Sequence, residues 1–389
     1  MNTKLVPLGK ARMSATTERF IAAFQSHGPL WRFQDENTIE AKAVLQLLEM
    51  LRWVVKAQKK AVGPRGLIGC DMIDNPNFNA LAATYEQHEF VTLFSGAVDY
   101  IYLTYFALLS DPTTLASIGE ASRESISQEF LDLLRTGHST YTPAQLPKDP
   151  QRIQAARDLS LYTCLFILLH EVGHVVRGHP AFFQRKYGLS IHEEIPVSSA
   201  SGKSSDLRLA FEWEADEYAA VTSYQCIRTL LQKPALFPSI SCLDADLVWS
   251  ISVSMTFCLI GHFSGGLDAS SPAHPRPRFR YVWSMLSVES APECKIFSPQ
   301  TPALQNGFDE VAGWFVRHRF DFTRQKSTML NDNADKVLEA FHKEYLAIRA
   351  ALRAESALLD EIANERRVLA EAWRDSHSDE MSAIAEEAN

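Results

Sequence analysis

The chain has 389 residues, 46% hydrophobic and 22% charged, which fits a globular protein with a sizeable core and excludes a disordered one. Its net charge of −9 excludes a nucleic-acid binder that works by neutralising phosphates. Six cysteines with no CxxC pair point to a reducing compartment, so a cytoplasmic protein is expected.

The N-terminal MNTKLVPLGKARMSATTERF has no continuous apolar run, and no signal peptide is expected. Apolar spacing predicts a helix over residues 44–55 and a buried helix over 90–109. The second, FVTLFSGAVDYIYLTYFALLS, is long enough to span a membrane but carries Asp99 near its middle, at a cost of about 3 kcal/mol in a bilayer. LVWSISVSMTFCLIGHFSGG is long enough only with its serines and His262. Buried core helices explain both at less cost, and membrane association is not expected. STYTPAQLPKDPQ is a linker candidate. Asp149 before Pro150 signals a helix start, which runs into LLHEVGHVVRGHP and is ended by Gly178 and Pro180. After the breaker-rich IPVSSASGKSSD, Ser205 or Asp206 could cap a helix over LRLAFEWEADEYAAVTSYQCIRTLL. A third apolar helix covers 247–260; Cys164 and Cys258 sit in apolar runs and read as buried thiols. The turn-rich GGLDASSPAHPRPRFRYVW and the proline-rich APECKIFSPQTPAL follow. From Val337 apolar residues recur at three-four spacing, which suits a coiled coil or a long helical hairpin. From Asn331 to the end there are 14 acidic and 7 basic residues, so −7 of the charge lies in this tail.

The chemistry concentrates in HEVGH. On a helix His170 and His174 lie about 40° apart in projection and can present two imidazoles to one cation. Glu171, rotated by about 100°, flanks the open coordination position where a water would sit. That is the zincin arrangement, with the glutamate moving protons between water and the leaving amine. His179 comes five residues after His174, a spacing at which a metzincin third ligand does not fall, and is read as a neighbour of the site rather than a ligand. Glu212 is the better third ligand. It shares a helical face with Asp216, so one carboxylate could complete the site while the other accepts the spare N–H of a ligating histidine.

HEVGHVVRGH, FEWEAD and AHPRPRFRYV together resemble the gluzincin metallopeptidases that include the CAAX prenyl proteases and the HtpX-type heat-shock proteases, with HExxH, ExxxD and HPxxxxR in order over about 110 residues. The resemblance implies one zinc ion on His170, His174 and Glu212, with Glu171 as general base. It gives Asp216 to a ligating histidine, His274 to the oxyanion of the intermediate, and Arg280 to electrostatic anchoring of the site. It implies a mainly α fold: a gluzincin-like helical core, a small β-hairpin near the active site and a long C-terminal helical tail. The expected layout is an N-terminal helical region (1–148), a metallopeptidase core (149–290), a connecting segment (291–330) and the acidic tail (331–389). The expected activity is hydrolysis of peptide bonds in a protein or peptide substrate, with no nucleic-acid partner and with self-association or partner binding through the C-terminal helices. The competing readings are a zinc-stabilised binding or regulatory protein without catalysis and a membrane-associated protease of the same family.

Overall fold

The computed structural model describes residues 15–32, 39–62, 67–86, 88–136, 146–188, 191–192, 203–232, 239–240, 243–264, 276–295, 299, 301–318, 320 and 334–376. The fold is mainly α with one small sheet. Helices α1 (Ala15–Phe24) and α2 (Ile39–Val62) lead into strands β1 (Leu67–Ile73), β2 (Ala80–Tyr85) and β3 (His88–Phe94). Helices α3 (Ser95–Leu109), α4 (Gln128–Arg135), α5 (Pro150–Arg177) and α6 (His179–Tyr187) follow, then the two-residue strand β4 (Ile191–His192). The remainder is α7 (Lys203–Leu231), α8 (Ala245–Ser264), α9 (Pro277–Ser290), α10 (Pro292–Lys295), α11 (Thr301–Arg317) and α12 (Ala334–Ser376).

The sheet has the order β1-β3-β2-β4, with β1 parallel to β3 and the other pairs antiparallel. Both of its faces are covered. Leu81, Ala83, Phe90 and Phe94 pack with Phe20 and Phe24 of α1, whereas Ala80, Ala82, Val91 and Leu93 join the main core. Alternate residues go to opposite faces, as the period of two requires.

The stretch expected as one buried helix over 90–109 is therefore two elements, β3 and α3. The break falls where Phe94 adopts extended φ/ψ of −81° and 143°. Next comes Gly96, whose N–H donates to the Asn75 carbonyl at 2.9 Å and where any Cβ would run into the Pro76 carbonyl. Asp99 lies half-buried on α3. Burial, reinforced by Asp74, pushes its carboxyl up to about 7. A carboxyl raised on folding contributes stability that is full below its unfolded value and lost as pH rises through about 7. Asp99→Asn should therefore raise stability by about 2 kcal/mol at pH 8 and leave it unchanged near pH 4, a figure discounted for the group's partial exposure. Urea midpoints at the two pH values measure this, and an equal shift at both would contradict it.

Helix α5 starts as expected. The Asp149 side chain accepts from the Gln151 and Arg152 N–H groups, and Pro150 occupies the first turn. It ends at Gly178, in the left-handed region at φ 86°. Pro180 does not terminate anything; it sits in the first turn of α6. Ser205 and Asp206 are not caps either, because α7 begins at Lys203 and places both inside its first turn.

Helices α5 and α8 are long and apolar enough to cross a membrane, and 89% and 72% of their most apolar windows are buried inside the protein. The main core runs from Trp31 to Phe320 and takes in Cys164 and Cys258. Helices α10 and α11 occupy the segment expected to connect. Trp314 and Phe315 of α11 are buried, and the Leu304 carbonyl accepts from Ser250 of α8 and, at 2.8 Å, from Tyr281 of α9. The long helical tail is present: its described residues form one helix, α12, of 43 residues docked on the body, and no hairpin among them. Its Ile362 packs with Phe182, Phe183, Leu207 and Phe211, and Lys186 and Arg185 pair with Glu355, Glu361 and Glu365.

Candidate metal centre

Helix α5 presents Phe166, Ile167, His170 and Glu171 to one cleft of about 380 Å³, walled by Ile260 and Phe263 of α8 and rimmed by residues 77–80. His174 lies one turn beyond His170 and is fully buried. Helix α7 packs directly behind. It comes close at Gly173, where an added Cβ would stand 3.0 Å from the Ala215 backbone. A glycine inside a helix costs about 1 kcal/mol against alanine, so its presence is a signal of close packing that the sequence did carry.

The close approach brings Glu212 onto both histidines. Its Oε2 is 3.3 Å from His170 Nε2, its Oε1 is 3.4 Å from His174 Nε2, and the two Nε2 atoms are 3.0 Å apart. All three side chains are buried and their ligand atoms lie within 4.8 Å of one another. A tetrahedral site with bonds of about 2.0–2.1 Å sets its donors about 3.3 Å apart, so the observed spacing fits a single ion. The charges fit as well. Glu171, Glu212 and Asp216 are three buried carboxyl groups facing one buried guanidinium, Arg280, and the remainder favours a cation.

Asp216 lies one turn along α7 from Glu212. Its Oδ1 is 2.9 Å from His170 Nδ1, which leaves Nε2 aimed at the centre. Arg280 of α9 grips Asp216 in a bidentate pair, Nε to Oδ2 at 2.7 Å and Nη2 to Oδ1 at 2.9 Å, and its Nη2 is 3.3 Å from Glu212 Oε2. Burial alone would lower the His170 pKa, but Asp216 and Glu212 outweigh it and raise it to about 10. Burial pushes Asp216 upward, and Arg280 and His170 reverse this, holding its carboxyl below the ordinary range.

The structure thus brings together six of the residues singled out in the sequence: His170, Glu171, His174, Glu212, Asp216 and Arg280. His274 lies outside the described residues. His179 is buried against His174 rather than aimed at the centre, with 2.9 Å between their Nδ1 atoms. Sequence reasoning missed Gly173 and the Glu214 that backs His179.

Two imidazoles from one helix and a carboxylate from another, with a carboxylate behind one imidazole, form a buried group that could hold a metal ion. Residues 123–285 match the sequence profile of a peptidase family, peptidase U49, over a span that includes all six of these residues. The match supports a proteolytic function for the chain, without singling out the CAAX and HtpX group. Searches of curated proteins and of solved structures found no match.

Proposed function

We propose that the protein is a zinc-dependent endopeptidase of gluzincin type. The observation that supports this best is that Glu171 lines the cleft beside His170, while His170, His174 and Glu212 converge behind it. Two histidines and a glutamate are a donor set of catalytic zinc, which suits borderline-soft imidazole ligands and needs no redox partner. A zinc ion held there would polarise the substrate carbonyl and bring the pKa of a water towards about 7.

The chain's own groups do the rest. The Glu171 carboxylate takes the proton of the attacking water and passes it to the leaving amine nitrogen. Asp216 fixes the tautomer of His170, and Arg280 fixes Asp216. His274 supplies a donor to the oxyanion, as the HPxxxxR motif implies. Phe166, Ile260 and Phe263 give the cleft apolar walls beside the reacting bond.

The test is metal removal. The purified protein should hold one equivalent of zinc and cleave members of an unbiased peptide mixture, read as new termini by mass spectrometry. Dialysis against a zinc chelator should abolish cleavage, and one equivalent of zinc should restore it. Cleavage that persists in metal-free protein would exclude the proposal, and zinc binding without any cleavage would favour the binding-protein reading.

A further inference from the structure

The chain follows HEVGH with a third histidine that the metal does not need. Gly178 reverses the backbone at the end of α5, so that His179, the first residue of α6, folds under His174. His179 is fully buried, and the two Nδ1 atoms are 2.9 Å apart. The far side of the same ring meets α7: Nε2 is 3.0 Å from Glu214 Oε2. The ring also lies flat on Phe211, with centroids 4.0 Å apart and planes 11° apart. Phe211 immediately precedes Glu212, so the stack ties His179 to the turn that carries the third ligand.

Hydrogen-bond roles then follow from one end. A carboxylate only accepts, so Glu214 requires the His179 proton on Nε2. Nδ1 of His179 is left with a lone pair and accepts from His174 Nδ1–H. His174 must then carry its lone pair on Nε2, the atom 3.0 Å from His170 Nε2 and 3.4 Å from Glu212 Oε1. With both ring nitrogens engaged away from the centre, His179 is not a ligand. His170 receives the same instruction directly, from Asp216 on its Nδ1.

We propose that Glu214 and His179 form a relay that fixes the tautomer and orientation of His174, making both positioning residues for the metal site. The proposal rests on the reading of His170, His174 and Glu212 as metal ligands. In such sites, loss of a hydrogen-bond partner of a ligating histidine typically costs 10–100-fold in metal affinity.

The experiment measures zinc dissociation constants by competition with a chelator of known affinity, alongside thermal melting of the metal-free proteins. His179→Phe keeps the stack on Phe211 but offers no acceptor, and should weaken zinc binding by about 10–100-fold. His179→Asn places a carbonyl oxygen near the Nδ1 position and should recover most of that loss. Glu214→Leu should weaken binding in the wild-type background and have no further effect in His179→Phe. Wild-type affinity in a folded His179→Phe, or no recovery in a folded His179→Asn, overturns the relay. Should His179→Phe not fold, unchanged affinity in Glu214→Leu overturns it alone. A wild-type protein that binds no zinc overturns the metal site itself, so the two failures are distinct.

Discussion

Replacing Glu171 by glutamine should slow peptide hydrolysis by about 10³-fold or more while the zinc content stays at the wild-type level. The reasoning is geometric first. Glu171 is 1% exposed, so its replacement must match its volume, and glutamine does. The residue is not among the three converging donors, so the ion keeps His170, His174 and Glu212. What disappears is a basic oxygen in the cleft: an amide cannot accept the water's proton at neutral pH or return it to the amine. Zinc content by elemental analysis and cleavage by mass spectrometry separate the two effects. A variant that keeps zinc and cleaves at the wild-type rate would remove Glu171 from the mechanism. One that loses zinc as well would show that the residue supports the ligands.

How much of this was legible depended on how local the signal was. HEVGH and FEWEAD could be read because three- and four-residue spacing on a helix fixes which side chains share a face. Asp149-Pro150 could be read because a cap is a contact between neighbours in sequence. That FEWEAD would fold back on HEVGH was an inference from paired chemistry, and the packing that achieves it runs through Gly173 against Ala215. The failures are equally physical. A strand covered on both faces, such as β3, shows no polar alternation and reads like the helix that follows it. In the proline-rich stretch 291–304 the described residues include the first turns of α10 and α11, with Pro292 and Pro302, because proline fits a helix's first turn as well as a loop. The tail's period announced a helix but not its partner: Ile362 is buried by Phe182, Phe183 and Phe211, some 150 residues or more away in sequence. His179 was placed near the site by spacing, but its role depends on Glu214 of another helix.

The second large effect lies far from the candidate metal centre and leaves no mark in the sequence. Arg152 is fully buried two residues inside the start of α5. Its guanidinium spends all five N–H donors on backbone carbonyls of one loop. Nε donates to Leu109 at 2.7 Å, Nη1 to Leu115 at 3.0 Å and Ile118 at 2.9 Å, and Nη2 to Asp111 at 3.1 Å and Thr114 at 2.8 Å. These carbonyls begin with the last residue of α3, Leu109, where a cation also meets the negative end of the helix dipole. Asp111 and Leu115 also accept from the Thr114 and Ile118 N–H groups, but the buried Leu109, Thr114 and Ile118 carbonyls would lose a donor, so Arg152→Met should destabilise the protein by about 4 kcal/mol despite its apolar side chain. Arg152→Lys should recover little of this, because a single ammonium has three donors and cannot reach five acceptors spread over ten residues. The site should be spared. His170 lies 18 residues further along α5, about 27 Å at 1.5 Å per residue, and is held there by Asp216 and Glu212 of α7. The expected result is a large fall in the urea midpoint together with unchanged zinc affinity and turnover at temperatures where the variant stays folded. That is the inverse of Glu171→Gln, which keeps stability and loses turnover. If Arg152→Met instead lost zinc while folded, the start and the middle of α5 would be coupled, and the helix could not be treated as a rigid carrier of its ligands.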